Sequence, residues 1–268
     1  MRTPMETGEI DLTALKSDLL LGWDGIVLRW MLIDGNEVLD FGEEKEVAGF
    51  QPLIDLHADV RSVCVSFLRP VFSLMPSAVA SGIEKEVLQV HHGPSNPFRR
   101  SFHSERFGEE ITLIESGKWE QGDAFLKSWP QVRWTSATLG WLEHQKRRSI
   151  SAEFTSLLSI DVGTSKALMS RFDEGRLAWC IVAEDVDGDG ILYHAVNSLM
   201  RNDFEEGLEN GLHRTWVVFS GAIENNRQMI QQFERFFPHV EVDEGGLQWK
   251  TEAPAQVGEW NLLSHALR

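Results

Sequence analysis

Short apolar runs of strand length, separated by Gly, Asp and Pro, alternate along this chain with longer stretches of helical spacing. GIVLRWMLIDGNEVLDFGE is two apolar runs around Asp34-Gly35-Asn36, which predicts a β-hairpin. RSVCVSFLRPVFSLMP predicts two strands broken at Arg69-Pro70, because proline cannot donate to an internal ladder. A helical pattern starts at Ser77. Residues 91–109, rich in Gly, Pro, Ser and His, predict a loop with a strand near its start. EITLIES then predicts a strand, WEQGDAFLKSW a helix stopped by Pro130, and VRW a short strand. SATLGWLEHQKRR predicts a helix whose three terminal basic residues suit its negative pole.

The rest of the chain runs in parallel with this. SLLSIDVG predicts a strand, and ALMSRF turns through Asp173-Glu174-Gly175 into RLAWCIVA, a hairpin like that of Leu28 to Phe41. A helix is expected from Ile191 to Asn210, then the strand RTWVVFSG and a helix from Glu224 to Phe236 stopped by Pro238. VEVDEGGLQWK reads as hairpin-like, and GEWNLLSHALR as a helix. ITLIESGKWEQGDAFLKSWPQVRW and TWVVFSGAIENNRQMIQQFERFFPHVEV each give a strand, Ser-Gly, a helix and aromatic-Pro-x-Val. Their helical segments differ by about one helical turn, which leaves the helix facing the same way. The echo predicts an α/β chain of two duplicated halves, although strand–helix–Pro units recur in any α/β protein. The expected division is a disordered lead-in at 1–17, a first half at 18–145 and a second at 146–268.

Composition narrows the function classes. The 268 residues are 42% hydrophobic and 25% charged, ordinary globular values. Ten tryptophans against one tyrosine favour packing over catalysis. The net charge of −16 repels phosphate backbones and anionic lipid, so neither nucleic acid nor a membrane surface is expected as a partner. Arg99-Arg100 and Lys146-Arg147-Arg148 are short basic clusters of the kind found at solvated loops and helix ends. Cys64 and Cys180 sit in apolar strand-like runs, which predicts buried thiols and no disulfide framework. The stretch Leu19 to Ile33 is too short and too charged to span a bilayer, and the start MRTPMETGEIDL lacks a signal-peptide pattern. A cytoplasmic location is expected.

Three segments could carry chemistry. Asp161-Val162-Gly163-Thr164-Ser165 closes an apolar strand. Its backbone N–H groups could cradle a phosphate while Asp161 holds Mg²⁺ through water, as in actin-like and sugar-kinase-like ATPases. The plainer reading is a β-turn in which Asp161 and Thr164 satisfy local backbone. Ser220-Gly221-Ala222 could bring backbone against an adenosine, or be an ordinary strand-to-helix turn that needs one glycine. Asp185-x-Asp187-x-Asp189-Gly190 opens like a calcium loop, but Val196 stands where the bidentate glutamate belongs. No metal is expected there, and Asp189 reads as a helix N-cap. His91, His92 and His103 fit no zinc spacing.

Three stretches carry a family resemblance. VCVSFLRPVFSLMPSAV (63–79) is similar to a strand followed by Phe-x-Leu-x-Pro. RLAWCIVAEDVDGDGILYHAVNSLMRN (176–202) resembles a strand, a turn and a helix carrying Tyr193. Trp216 to Val240 resembles a strand, Ser-Gly and a helix closing on Phe-Phe-Pro. Together they resemble the uncharacterised family named domain of unknown function 3822, with the acidic VAEDVDGDG replacing its usual aromatic-rich link. The resemblance implies an actin-like ATPase fold of two ribonuclease-H-like halves around a cleft, and no activity.

An ATPase of this class grips phosphate with a turn from each half. The first-half counterpart of Asp161–Ser165 is expected within Gly22-Trp23-Asp24-Gly25-Ile26-Val27. Asp24 and Gly25 are present, but Ile26 and Val27 replace small hydroxyl residues. The expectation is a pseudo-ATPase that binds a protein or peptide partner. The alternative is an ATP-binding phosphotransferase or slow ATPase, with Mg-ATP held by Asp161, Gly163, Thr164 and Ser165 and its adenosine near Ser220 and Gly221.

Overall fold

The computed structural model describes residues 17–45, 60–76, 78, 98–104, 111–117, 132–151, 154–184, 188–202, 208–222, 227–243, 245–250, 253 and 258–267. Three sheets organise them. The first holds β1 (Asp18–Trp23), β2 (Leu28–Asp34), β3 (Glu37–Glu44), β4 (Ser62–Phe67), β8 (Val132–Trp134) and β14 (Gln248–Trp249), in the order β14-β3-β2-β1-β4-β8. A small antiparallel sheet follows from β5 (Val71–Pro76), β6 (Phe98–Ser104) and β7 (Ile111–Gly117), in the order β5-β7-β6. The third holds β9 (Ser156–Val162), β10 (Lys166–Asp173), β11 (Arg176–Glu184), β12 (Thr215–Gly221) and β13 (His239–Val242), in the order β11-β10-β9-β12-β13. The described helices are α1 (Ala137–Ser151), α2 (Gly188–Asn202), α3 (Leu208–Arg214), α4 (Arg227–Glu234) and α5 (Gly258–Ser264), the last running into a 3-10 turn at His265–Leu267.

β1 and β9 are central, and their sequences show it. DLLLGW and SLLSIDV are near-continuous apolar runs, as strands covered on both faces must be, and only Trp23 among them is not fully buried. β1 pairs antiparallel with β2 and parallel with β4, while β9 pairs antiparallel with β10 and parallel with β12. The outer strands β8 and β13 are again parallel to their neighbours. β3-β2-β1-β4-β8 and β11-β10-β9-β12-β13 therefore share one order and one set of senses.

Registers agree as well. Trp23 faces Leu28 as Val162 faces Ala167. The hairpins β2–β3 and β10–β11 each carry a bulge just before the turn, at Leu32/Ile33 and at Arg171/Phe172. Outside the ladders, Leu68 N donates to Trp23 O at 2.8 Å as Ala222 N donates to Val162 O at 2.7 Å.

This register corrects the echo read from the sequence. Val132 does match Val240, since Val63 pairs with Val132 as Val217 pairs with Val240. The strand ITLIESG does not match TWVVFSG. It is β7, in the small sheet, and the counterpart of β12 is β4. VEVDEGGLQWK is not a hairpin: β13 joins β12, while β14 crosses to the first sheet and pairs with β3. The expected helix at 191–210 begins earlier, at Gly188, and α3 is separately bounded at Leu208–Arg214. The helices expected from Ser77 and over 119–129 lie outside the described residues but for Ala78, as does the lead-in expected at 1–17 but for Ser17.

An expected division at 145/146 falls inside α1, and the chain after β13 returns to the first sheet through β14. The energetics follow this crossing. One core cluster draws Leu20, Met31 and Cys64 from the first sheet, Leu157, Phe172 and Val218 from the third, Trp141 from α1, and Trp260 and Leu263 from α5. Each is almost fully buried, and burial of such side chains is worth roughly 1.5–3 kcal/mol apiece for the larger aliphatics. Gly140 allows α1 to lie on the 3-10 turn, since a β-carbon there would stand 2.1 Å from the His265 carbonyl oxygen. Cys64 and Cys180 are free thiols, and burial pushes the Cys180 thiol up. No helix among the described residues is long and apolar enough to cross a membrane.

Candidate functional site

β9 carries Asp161 to the end of its strand with no exposed surface. A buried carboxylate must be matched, and two side chains match it. Ser220, at the adjacent position on β12, donates through Oγ to Asp161 Oδ1 at 2.9 Å. Arg69 reaches Asp161 Oδ2 with Nη2 at 2.6 Å, and its side chain is only 4% exposed. The same guanidinium donates to main-chain oxygens, Nε to Asp161 O at 3.4 Å and Nη2 to Val162 O at 3.1 Å.

Arg69 comes from the other sheet. It follows β4, with φ of 48°, a region that side chains other than glycine rarely adopt. Pro70 comes next, so β4 stops and the chain turns into β5. The sequence marks this break, but it does not announce that the arginine points inward. The signal that was there is a charged residue directly after the apolar run VCVSFL. Gly163 completes the packing: a β-carbon there would strike the Arg69 guanidinium at 2.6 Å.

Thus Asp161, Gly163 and Ser220 are brought together around Arg69. Gly221 is adjacent, with φ of 91°, and a β-carbon on it would lie 2.0 Å from Val162 O. Glycine is required there by backbone approach alone. Thr164 and Ser165 are exposed at the tip of the turn that Gly163 N closes onto Lys166 O at 2.8 Å.

The first-sheet turn is built differently. By the shared register, Gly22 stands where Asp161 stands, and Asp24 where Gly163 stands. Asp24 is therefore not the counterpart of Asp161. A β-carbon on Gly22 would meet Leu68 and Leu263, so apolar side chains fill that position. The Asp24 carboxylate serves its own turn, accepting from Ile26 N and Val27 N at 2.8 Å each, and pairs with Arg29 at 2.5 Å. Gly25 and Ile26 are exposed. Ser66 is the counterpart of Ser220, but its Oγ accepts from Ala137 N at 2.8 Å at the head of α1.

That head holds a carboxyl pushed up towards neutrality. Glu115 of β7 has no exposed surface, and burial raises its pKa from 4.5 to about 7, against the opposing pull of the Ser136 and Thr138 hydroxyls. Ser136 Oγ donates to Glu115 Oε1 at 2.7 Å and accepts from Leu139 N at 2.9 Å, so it caps the helix while holding the acid.

The Asp161 carboxylate of this turn already has cationic company. Oδ1 accepts from Ser220 and Oδ2 stands 2.6 Å from Arg69 Nη2, so a divalent cation placed on this carboxylate would lie beside a positive charge. Of the calcium-like segment, Asp185 and Asp187 lie outside the described residues. Asp189 lies within α2 rather than capping it, and accepts from Gln232 of α4 at 3.0 Å.

No protein-family model and no curated protein matches the chain. Solved structures do. A Bacteroides thetaiotaomicron protein with actin-like ATPase fold and unknown function superposes with a TM-score of 0.71 at 12% identity, covering 96% of this chain and 99% of its own. The fold is that of the actin-like ATPases. The PilM-PilN type IV pilus biogenesis complex matches with a TM-score of 0.56 at 11% identity, covering 93% of this chain and 97% of the other. Identities this low establish the fold and leave the chemistry to the residues described above.

Proposed function

We propose that the chain is a pseudo-ATPase, a non-catalytic protein that keeps the actin-like scaffold and works by binding a protein or peptide partner. The observation that carries this reading is the Arg69–Asp161 pair. A catalytic turn needs its carboxylate open to a metal, and here an arginine from the other sheet occupies it. The first-sheet turn adds to this, with apolar contacts at Gly22 and a carboxylate committed to its own backbone. A protein complex among the neighbours of similar fold supports a protein partner for this chain.

The matching strand orders and bulges support descent of the two halves from one duplicated unit. Membership of the family named domain of unknown function 3822 is proposed on the sequence resemblance. A cytoplasmic location is proposed with it, in keeping with two free cysteines.

The alternative, an ATP-binding phosphotransferase or slow ATPase, requires Arg69 to leave Asp161. Thermal unfolding with and without Mg-ATP, run beside a phosphate-release assay, separates the two. No rise in melting temperature and no turnover are expected. Turnover that disappears in Asp161→Ala would establish the alternative.

A further inference from the structure

A cavity of about 460 Å³ opens elsewhere in the molecule and shares no lining residue with the Arg69 cluster. It exists because the chain crosses back after β13. The β2–β3 turn, the C-terminal half of α1, the β13–β14 connection and the end of α5 with its 3-10 turn enclose it. Its size suits a small organic ligand.

The walls are mixed in character. Ile33, Leu247 and Leu267 are aliphatic, and the His144 ring stands 5.0 Å from that of His265, tilted by 41°. Arg148 also faces in, but its charge is spent. Nη2 lies 3.0 Å from Glu241 Oε1, Nη1 pairs with Asp243, and the guanidinium stacks 4.9 Å over Trp216. Two carboxylates against one guanidinium leave no positive excess for an anion, and the guanidinium itself opposes an ammonium ion. No group of three or more His, Cys, Asp or Glu among the described residues is arranged to hold a metal. An anionic occupant is therefore disfavoured, and an uncharged one suits the aliphatic wall.

Asn261 decides its polar character. The residue is 6% exposed and lines the cavity, its amide lying flat over Gly245. Its backbone oxygen accepts from Ser264, but its side-chain amide makes no hydrogen bond among the described residues. That amide offers a donor and an acceptor side by side, the pattern by which asparagine pairs bidentately with the edge of a nucleobase. The flat imidazole and the aliphatic residues suit the faces of the same kind of ring.

We propose that this cavity binds an uncharged planar heterocycle of the nucleobase class, its polar edge on the Asn261 amide and its face against His144 and the aliphatic wall. The proposal does not depend on how the Asp161 turn is read. It is tested by titrating adenosine, guanosine, cytidine and uridine into the full chain and following thermal unfolding. Two variants probe the cavity. Asn261→Asp keeps the side-chain shape and removes the donor. Gly246→Val sets a branched side chain on the cavity wall, at a position with room for a β-carbon. At least one nucleoside should raise the melting temperature of wild type by about 2–4 °C at roughly five times its dissociation constant. The rise should persist in Asp161→Ala and vanish in Gly246→Val and Asn261→Asp. No rise with any of the four nucleosides, or a rise that survives in Gly246→Val, overturns the proposal. A rise lost only in Asp161→Ala puts the ligand in the other cleft, and overturns both this proposal and the pseudo-ATPase reading.

Discussion

Arg69 and Asp161 form a buried ion pair that ties the end of β4 in the first sheet to the end of β9 in the third. The Asp161 carboxylate, its own carbonyl and that of Val162 all lie against one guanidinium. The pair ties the two sheets together at the turn that the proposed function reads as a closed phosphate turn.

A buried pair is costly to break and cheaper to replace whole. Arg69→Met should cost about 3–5 kcal/mol, because it leaves an uncompensated buried carboxylate. Adding Asp161→Asn should recover a large part of that loss, since Asn keeps the Ser220 contact and carries no charge. A double-mutant cycle by urea unfolding checks this. Losses that simply add would mean the two side chains do not act together.

Gly221→Ala should be among the most damaging single methyl additions in the protein. Its β-carbon has no space beside Val162 O, and φ of 91° is strained for alanine. A loss of about 2 kcal/mol or more is expected, read as a fall in the denaturation midpoint with an unchanged m-value. A variant as stable as wild type would show that the β12 turn can shift away from β9.

How much of this was legible in the sequence differs by level. The hairpins were readable because Gly35 and Gly175 sit between apolar runs of strand length. The β4–β5 break was readable from Arg69-Pro70. Asp161 with Gly163, and Ser220 with Gly221, were readable as two separate turns, but not that pairing of β9 with β12 sets them side by side. What could not be read was long-range pairing. ITLIESG and TWVVFSG end alike, yet one joins a small antiparallel sheet and the other a parallel ladder, because partner strands and not local spelling fix the sheet. Asp24 looked like the counterpart of Asp161 because both are aspartates beside a glycine. The register matches Gly22 to Asp161 instead. Arg69 carried no local sign of its partner, which lies 92 positions away.

Asp24→Ala tests the local role given to that carboxylate. It removes the acceptor for Ile26 N and Val27 N and one ion-pair partner of Arg29. A loss of about 1–2 kcal/mol is expected, comparable to losing a cap. Asp24→Ser should restore part of it by accepting from the turn. If Asp24→Ser is no better than Asp24→Ala, the Arg29 ion pair and not the turn is what the carboxylate supports.

Glu115 makes the stability of the protein depend on pH in an unusual direction. Burial raises its pKa from 4.5 to about 7 in the folded chain. Between those values the folded state holds a proton that the unfolded state has released. Stability therefore falls as pH rises from about 4.5 to 7, and above 7 the full cost of a buried charge is in force. A shift of this size corresponds to about 3 kcal/mol as an upper figure. Most carboxylates act in the opposite sense, so the contribution must be isolated by difference. Glu115→Gln keeps an oxygen for the Ser136 hydroxyl and cannot ionise, so the cap on α1 is preserved. Its stability relative to wild type should increase steadily from pH 4.5 to 7 and then level off. Chemical denaturation of both proteins across pH 4 to 8 gives the curve. A difference that stays flat with pH would mean that Glu115 titrates normally in the folded chain. A difference of opposite slope would mean that its ionised form is the one the fold stabilises.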